Sequence, residues 1–323
     1  MNKLEKINFR QSRDFGETFN VSVKFLRQNF KLFFQSLIFI GGPFVLISAV
    51  AGAFYQSGVL SMATATKLGS GYNFLEQFGI TYFLFVLAAI VAGIALLGTV
   101  YSFMINYMEK GPGAFTVNDV ARTLTKNIGN ILSVFFILTL LVIVIVAICV
   151  GITILFFQAG TAGAVVGVLL LLALIFGGII LFPPLMWQLS VVYLVKMQEG
   201  KGVFESFGRT RQVMRSNFWW TWVIMVCASM AVGIIAFVFA VPQAIYQMVL
   251  MFSHLKGDSG ETPISFLIVA TICTFCSTIL YSVLHVISAF HYYSLAEKKD
   301  GVGLMERIDE IGNTANNNVE QQY

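Results

Sequence analysis

Five long stretches of this chain contain no Asp, Glu, Lys or Arg, and they restrict what it can fold into more than any other feature. They lie between Lys31 and Lys67, Glu76 and Glu109, Lys126 and Lys196, Arg215 and Lys256, and Glu261 and Glu297. An ionised side chain at the centre of a bilayer costs about 3 kcal/mol on insertion scales. A helix needs about 20 apolar residues to cross ~30 Å of hydrocarbon, so each run reads as a membrane crossing, and the third is long enough for two. Composition agrees, since the chain is 57% hydrophobic and 11% charged, whereas soluble domains carry about 25% charged residues.

The expected fold is therefore all-α: a polytopic helical membrane protein with six transmembrane helices near 32–55, 79–106, 129–157, 163–195, 217–252 and 264–294. Residues 1–312 make a single integral membrane domain in this reading. The turn inside the third run is placed at Gln158-Ala159-Gly160-Thr161-Ala162-Gly163, where glycine and polar residues interrupt the apolar stretch. The tail 313–323, NTANNNVEQQY, has no apolar face and is expected to be disordered. The N-terminal segment MNKLEKINFRQSRDFGE is charged and has no apolar core before Leu32, so it does not read as a cleavable signal peptide.

Orientation follows from the basic residues. Seven fall in the N-terminal arm, three in the 107–128 loop, five in the 196–216 loop and three in the tail, against only Lys67 and Lys256 on the other side. Basic residues are held on the cytoplasmic side, so both termini are expected there, in the plasma (inner) membrane of a bacterium.

The chain also repeats itself. Glu17-Thr18-Phe19 followed by Arg27, Asn29 and Phe30 recurs 188 residues later as Glu205-Ser206-Phe207 followed by Arg215, Asn217 and Phe218. Phe15, Phe19, Val23, Leu26, Phe30 and Phe33 recur at helical spacing, as do Val203, Phe207, Met214 and Phe218, which predicts amphipathic helices at the cytoplasmic interface. The 115–130 segment holds the equivalent place before the third span. The even-numbered spans end alike, in tyrosine, then charge, then Gly111, Gly200 or Gly301. Three units are expected, each an interfacial helix followed by two spans.

The run Glu199-Gly200-Lys201-Gly202-Val203-Phe204-Glu205-Ser206-Phe207-Gly208-Arg209-Thr210, between a tyrosine-ended span and Asn217-Phe218-Trp219-Trp220, resembles the membrane domain attached to some glycerophosphodiester phosphodiesterases and its stand-alone six-span bacterial relatives. The similarity is specific over about 20 residues, and the catalytic phosphodiesterase domain with its metal ligands is absent from this chain. Membership would imply a fold and no activity.

Residues with chemical potential are few. Cys273 and Cys276 have CxxC spacing, but no basic group lies nearby to stabilise a thiolate, and two small apolar side chains at a helix contact is the simpler reading. His285 and His291 are six residues apart and so not on one helix face. His285 is a candidate site residue within the last span, while His291 is placed near the interface and expected to hydrate. Pro43 after Gly42, the pair Pro183 and Pro184, and Pro242 each remove a backbone donor inside a span, making Gly42, Pro43, Pro183, Pro184 and Pro242 a candidate cavity or hinge. Proline kinks in helices that transport nothing are the alternative. Arg209, Arg211 and Arg215 with Trp219 and Trp220 form a basic and aromatic belt suited to anionic lipid heads. Glu17 and Glu205 read either as partners of a basic residue one turn away or as acids favoured near a helix start.

No nucleophile with a base and no metal-ligand set is assembled, so no enzyme, cofactor or metal is expected, and nothing suggests nucleic-acid binding. The expected partners are membrane lipids and other membrane or cytoplasmic proteins. The expected function is a non-catalytic subunit or scaffold of a membrane complex, with a transporter or lipid-handling protein for an apolar or amphipathic substrate as the alternative.

Overall fold

The structure is a computed structural model that describes residues 5–65, 74–158, 160–255, 262–301 and 305. Lys67, Ala159, Lys256, Asp258, Glu261 and the tail 313–323 lie outside the described residues. Among the described residues all regular structure is helical: α1 (Phe15–Ser36), α2 (Gly42–Ala65), α3 (Phe74–Lys110), α4 (Val117–Gln158), α5 (Gly160–Glu199), α6 (Val203–Met214), α7 (Phe218–Leu255), α8 (Ile264–Tyr281) and α9 (Val283–Asp300). Six helical stretches are long and apolar enough to cross a membrane: Phe15–Val59, Gly79–Lys110, Val117–Phe156, Val165–Glu199, Val203–Ser253 and Ile264–Asp300. Each expected span has its counterpart.

The segments read as interfacial helices are continuous with the spans that follow. A π-helical turn, Leu37–Gly41, joins α1 to α2, a 3-10 turn, Arg215–Asn217, joins α6 to α7, and α4 runs unbroken from Val117. The π turn has a local cause. Proline has no N–H, and its ring would clash with the carbonyl four residues back. Just ahead of Pro43, the Gly42 N–H bonds instead to the carbonyl of Leu37, five residues back. Pro183, Pro184 and Pro242 stand inside helices that are not interrupted, so the expected breaks at these positions are not found. Neighbouring turns can supply the backbone partners that proline removes.

The helices α1, α4 and α6 start alike. In α1 the Asp14 N–H donates to Glu17 Oε2 at 3.0 Å and the Glu17 N–H to Asp14 Oδ1 at 2.7 Å. Before α4 the Thr116 N–H donates to Asp119 Oδ2 at 2.7 Å, and before α6 the Gly202 N–H donates to Glu205 Oε2 at 3.2 Å. Each acid is the third helical residue and satisfies the N-cap N–H, the reach-back half of a capping box. The α3, α5 and α9 helices also end alike. Gly111, Gly200 and Gly301 have φ of 86°, 63° and 64°, and their N–H groups bond the carbonyls of Tyr107, Lys196 and Glu297. A side chain there would be strained, which is why glycine follows each charged exit.

The buried face of α1 is largely polar. Thr18, Ser22, Phe25, Asn29 and Phe33 are buried, whereas Val23 and Phe30 are 44% and 62% exposed. Where lipid is the solvent, polar groups turn inward and apolar ones outward. The hydroxyls of Thr18, Ser22 and Ser36 donate to carbonyls four residues back at 2.7, 2.7 and 2.8 Å, so they are buried without loss. Ser206, Thr210, Val213 and Thr221, each 188 residues on from Thr18, Ser22, Phe25 and Phe33, are buried too.

The chain divides into two compact units. The first comprises Met1–Phe25, Asn127–Cys227 and Ile287–Tyr323, and the second Leu26–Lys126 and Ala228–Val286. In the second, α2 packs on α3 and α8. A Cβ on Gly41 would lie 2.7 Å from Leu96 Cδ2, and one on Gly52 3.0 Å from Phe85 Cε2, so glycine sets the close approach of α3. In the first, α5 packs on α6, and the N-terminal arm is anchored by Phe9, which stacks on Phe290 at 4.7 Å and meets the edges of Phe25 and Tyr293 at 5.9 and 5.5 Å.

Candidate functional site

In the second unit the helix pair α2/α3 leaves an apolar groove of about 750 Å³, walled by Phe44, Ile47, Val50, Phe54, Leu84 and Leu87 among others, with Thr81 the polar lining residue. A smaller groove of about 280 Å³ lies between α2 and α8, beside Val50, Phe54, Leu267 and Ile268. Neither is lined by Gly42, Pro43 or Pro242. Gly42 is buried, and a Cβ there would touch the Phe275 ring at 3.7 Å, whereas Pro43 and Pro242 are exposed. Gly42 thus acts as a packing contact beside the π turn.

The residue after Pro242 belongs to a polar bridge that the sequence reading missed. Gln243 Nε2 donates to Gln56 Oε1 at 2.6 Å, and the Thr274 hydroxyl donates to Gln243 Oε1 at 3.5 Å, tying α7 to α2 and α8. A search for ionisable residues passes over glutamine, although two glutamines inside charge-free runs were the available signal. Between hydrocarbon-facing helices such amides seek each other. His285 is half-buried, with its ring centroid 6.0 Å from that of Tyr101. Cys273 is buried and Cys276 half-buried, both as free thiols.

In the first unit His291 is 1% exposed, which corrects the expectation that it hydrates. Its Nε2 lies 3.0 Å from the Thr221 hydroxyl, which replaces water as its partner, and Trp187 packs against the ring at 5.4 Å. The Trp187 indole N–H donates to the Ser288 carbonyl at 3.1 Å. Pro183 is half-buried and Pro184 buried in this unit. Arg209 is ion-paired with Asp300 and is not free for a lipid. Arg211 and Arg215 are exposed, Trp219 is 66% exposed, and Trp220 is 37% exposed with its ring 6.1 Å from Phe15.

Glu17 and Glu205 cap helices. Asp119 does so while also bonding Lys110 at 2.7 Å. It lies ahead of the apolar run 129–157, and the Lys110 ammonium, followed by the Thr116 N–H and hydroxyl, holds its carboxyl well below the usual carboxylate range. Among the described residues no three His, Cys, Asp or Glu side chains gather as metal ligands would.

The least covered apolar surface lies on α4 and α5. From Val168 to Phe182 no residue is buried, and Leu169, Phe176, Ile179 and Phe182 are each about 60% exposed. On α4 beyond Leu138, Thr153 alone is buried among the described side chains. Over the apolar window of α5 only 6% of residues are buried, against 39% for the first span. Gly160, at φ 79°, opens α5, so residues 160–163, expected in the turn, are already helical, as is Gln158 at the end of α4. No protein family matches this chain, and no curated protein or solved structure matches it.

Proposed function

We propose that this chain is a non-catalytic, multi-pass subunit or scaffold of a membrane complex, with both termini on the cytoplasmic side of a bacterial inner membrane. The observation that carries the reading is the bare apolar surface of α4 and α5. Its window on α5 has 6% of residues buried while the spans of α1–α2 and α3 have 39% and 33%. Lipid alone gives no drive to hold such helices apart from a partner, and small residues at Gly163 and Gly177, both only half-buried, allow another helix to approach. The recurring N-cap acids and glycine ends support three repeated units, each opened by a basic amphipathic segment. The six-span domain resemblance over Glu199–Thr210 belongs to the same proposal.

Pull-down at native expression in mild detergent, with neighbours identified by mass spectrometry, tests the subunit reading. A stoichiometric membrane partner that photo-crosslinks to position 169 or 176 supports it, and a lone monomer at native abundance overturns it. The orientation is tested by labelling single cysteines in intact cells. Phe207→Cys should be shielded and Gly260→Cys labelled, and the reverse would reject the threading. The groove of about 750 Å³ between α2 and α3 favours a second reading, a protein that handles an apolar or amphipathic substrate. Lipid or solute movement in liposomes would support that one.

A further inference from the structure

We propose that Arg211, Arg215 and Trp219 form a docking site for the phosphate of an anionic phospholipid, independently of whether the chain is a scaffold. All three belong to the first unit: Arg211 lies in the last turn of α6, Arg215 opens the 3-10 turn and Trp219 lies in the first turn of α7, so the three follow one another along the same helical stretch. All three are exposed. Arg215 is the last charged residue before the run that extends to Lys256, so its guanidinium sits at the boundary between hydrocarbon and water, the depth of lipid phosphates. Trp219, 66% exposed, occupies the next turn, where an amphipathic ring at headgroup level is favoured.

Charge complementarity selects the occupant. Among the described residues neither Arg211 nor Arg215 has an ion pair, whereas Arg209 is taken by Asp300. The acid that opens this helix, Glu205, is turned back onto the Gly202 N–H. Two unpaired guanidinium forks one turn apart match phosphate oxygens that accept in pairs. A soluble acidic protein would have to bring its carboxylates into the headgroup layer to reach Arg215 beside Trp219, while a lipid phosphate is already there. The sequence suggested all three arginines; the Asp300 pair reduces the site to two.

The full-length protein, stripped of lipid in detergent and offered equimolar phosphatidylglycerol and phosphatidylcholine, provides the test, with native mass spectrometry counting the lipids retained. A basic residue near the surface is worth about a fivefold preference for anionic lipid, so Arg211→Gln with Arg215→Gln should lower the phosphatidylglycerol preference by about 10-fold or more. The matched pair Arg122→Gln with Lys126→Gln, on α4, should lower it less than about threefold. An unchanged preference in the arginine variant, or an equal fall in both pairs, overturns the site in favour of diffuse attraction. So does displacement of the lipid by millimolar inorganic phosphate, or an acidic protein whose co-purification is lost in the arginine variant alone. Should the glutamine pair fail to fold, Arg211→Lys with Arg215→Lys gives the same readout, with a smaller but definite loss expected because lysine lacks the fork.

Discussion

The Ser294 hydroxyl holds both sides of one residue, accepting from the Arg13 N–H at 2.9 Å and donating to the Arg13 carbonyl at 3.1 Å. Arg13 is itself 5% exposed, and its guanidinium donates to the Phe9 carbonyl at 2.9 Å while lying 5.7 Å from the Phe290 ring. The N-terminal arm is thereby docked onto α9 within the first unit. Ser294→Ala should remove about 1 kcal/mol for each of the two bonds, and Phe9→Ala about 3 kcal/mol through the lost ring packing. Limited trypsin digestion of the detergent-solubilised protein should cut near Arg10 and Arg13 faster in both variants, and fastest in Phe9→Ala. Equal rates in wild type and variants would mean the arm is not held by these contacts.

The caps make a prediction that separates structural from chemical roles for the recurring acids. Glutamine can still accept from the N-cap N–H, so Glu205→Gln should be nearly neutral, whereas Glu205→Ala should cost about 1 kcal/mol. Thermal unfolding followed by detergent size-exclusion chromatography should show Tm falling by about 2–4 °C in the alanine variant only. If glutamine is as harmful as alanine, the negative charge itself is being used.

Glycine at position 41 answers a specific neighbour. Gly41→Val should destabilise the second unit by about 2 kcal/mol, because its Cβ would fall 2.7 Å from Leu96 Cδ2. Leu96→Ala in the same chain should restore much of that loss, giving a coupling that a Tm series on the single and double variants measures. Gly58, with nothing within 4 Å of a built Cβ, is the control, and Gly58→Ala should leave Tm unchanged or slightly raised.

The amide bridge offers a fourth measurement. Gln243→Leu removes the partner of Gln56 and Thr274 together, and interhelical hydrogen bonds of this kind contribute about 0.6 to 2 kcal/mol. A double-mutant cycle with Gln56→Leu should show the two substitutions to be less than additive in mild-to-harsh detergent titration. Strict additivity would mean the 2.6 Å contact carries no net stability.

Much of the architecture was legible in the residues because hydrocarbon leaves few ways to satisfy a backbone. Charge-free runs longer than 20 residues read as helices, and the tyrosine, charge and glycine exits read from the sequence end at Gly111, Gly200 and Gly301, each at positive φ. At the 188-residue offset Thr18 and Ser206 are both buried, as are Ser22 and Thr210. Prolines misled for a physical reason. Pro183, Pro184 and Pro242 sit in unbroken helices, and only Pro43 sits beside a changed hydrogen-bond register.

The candidate surfaces were much less legible. Hydropathy could not tell a helix face covered by protein from one covered by lipid, since both are apolar, and so α5 reads like α3 although one is bare and the other packed. The amino-acid sequence alone determined that the chain forms six helices long and apolar enough to cross a membrane, because a helix satisfies its backbone groups within one apolar segment and without water. Tertiary packing alone decided which arginine is spent on Asp300, that His291 meets Thr221 instead of water, and that Gln56 finds Gln243. Those pairings join residues 70 to 187 positions apart, and no local rule of spacing reaches that far.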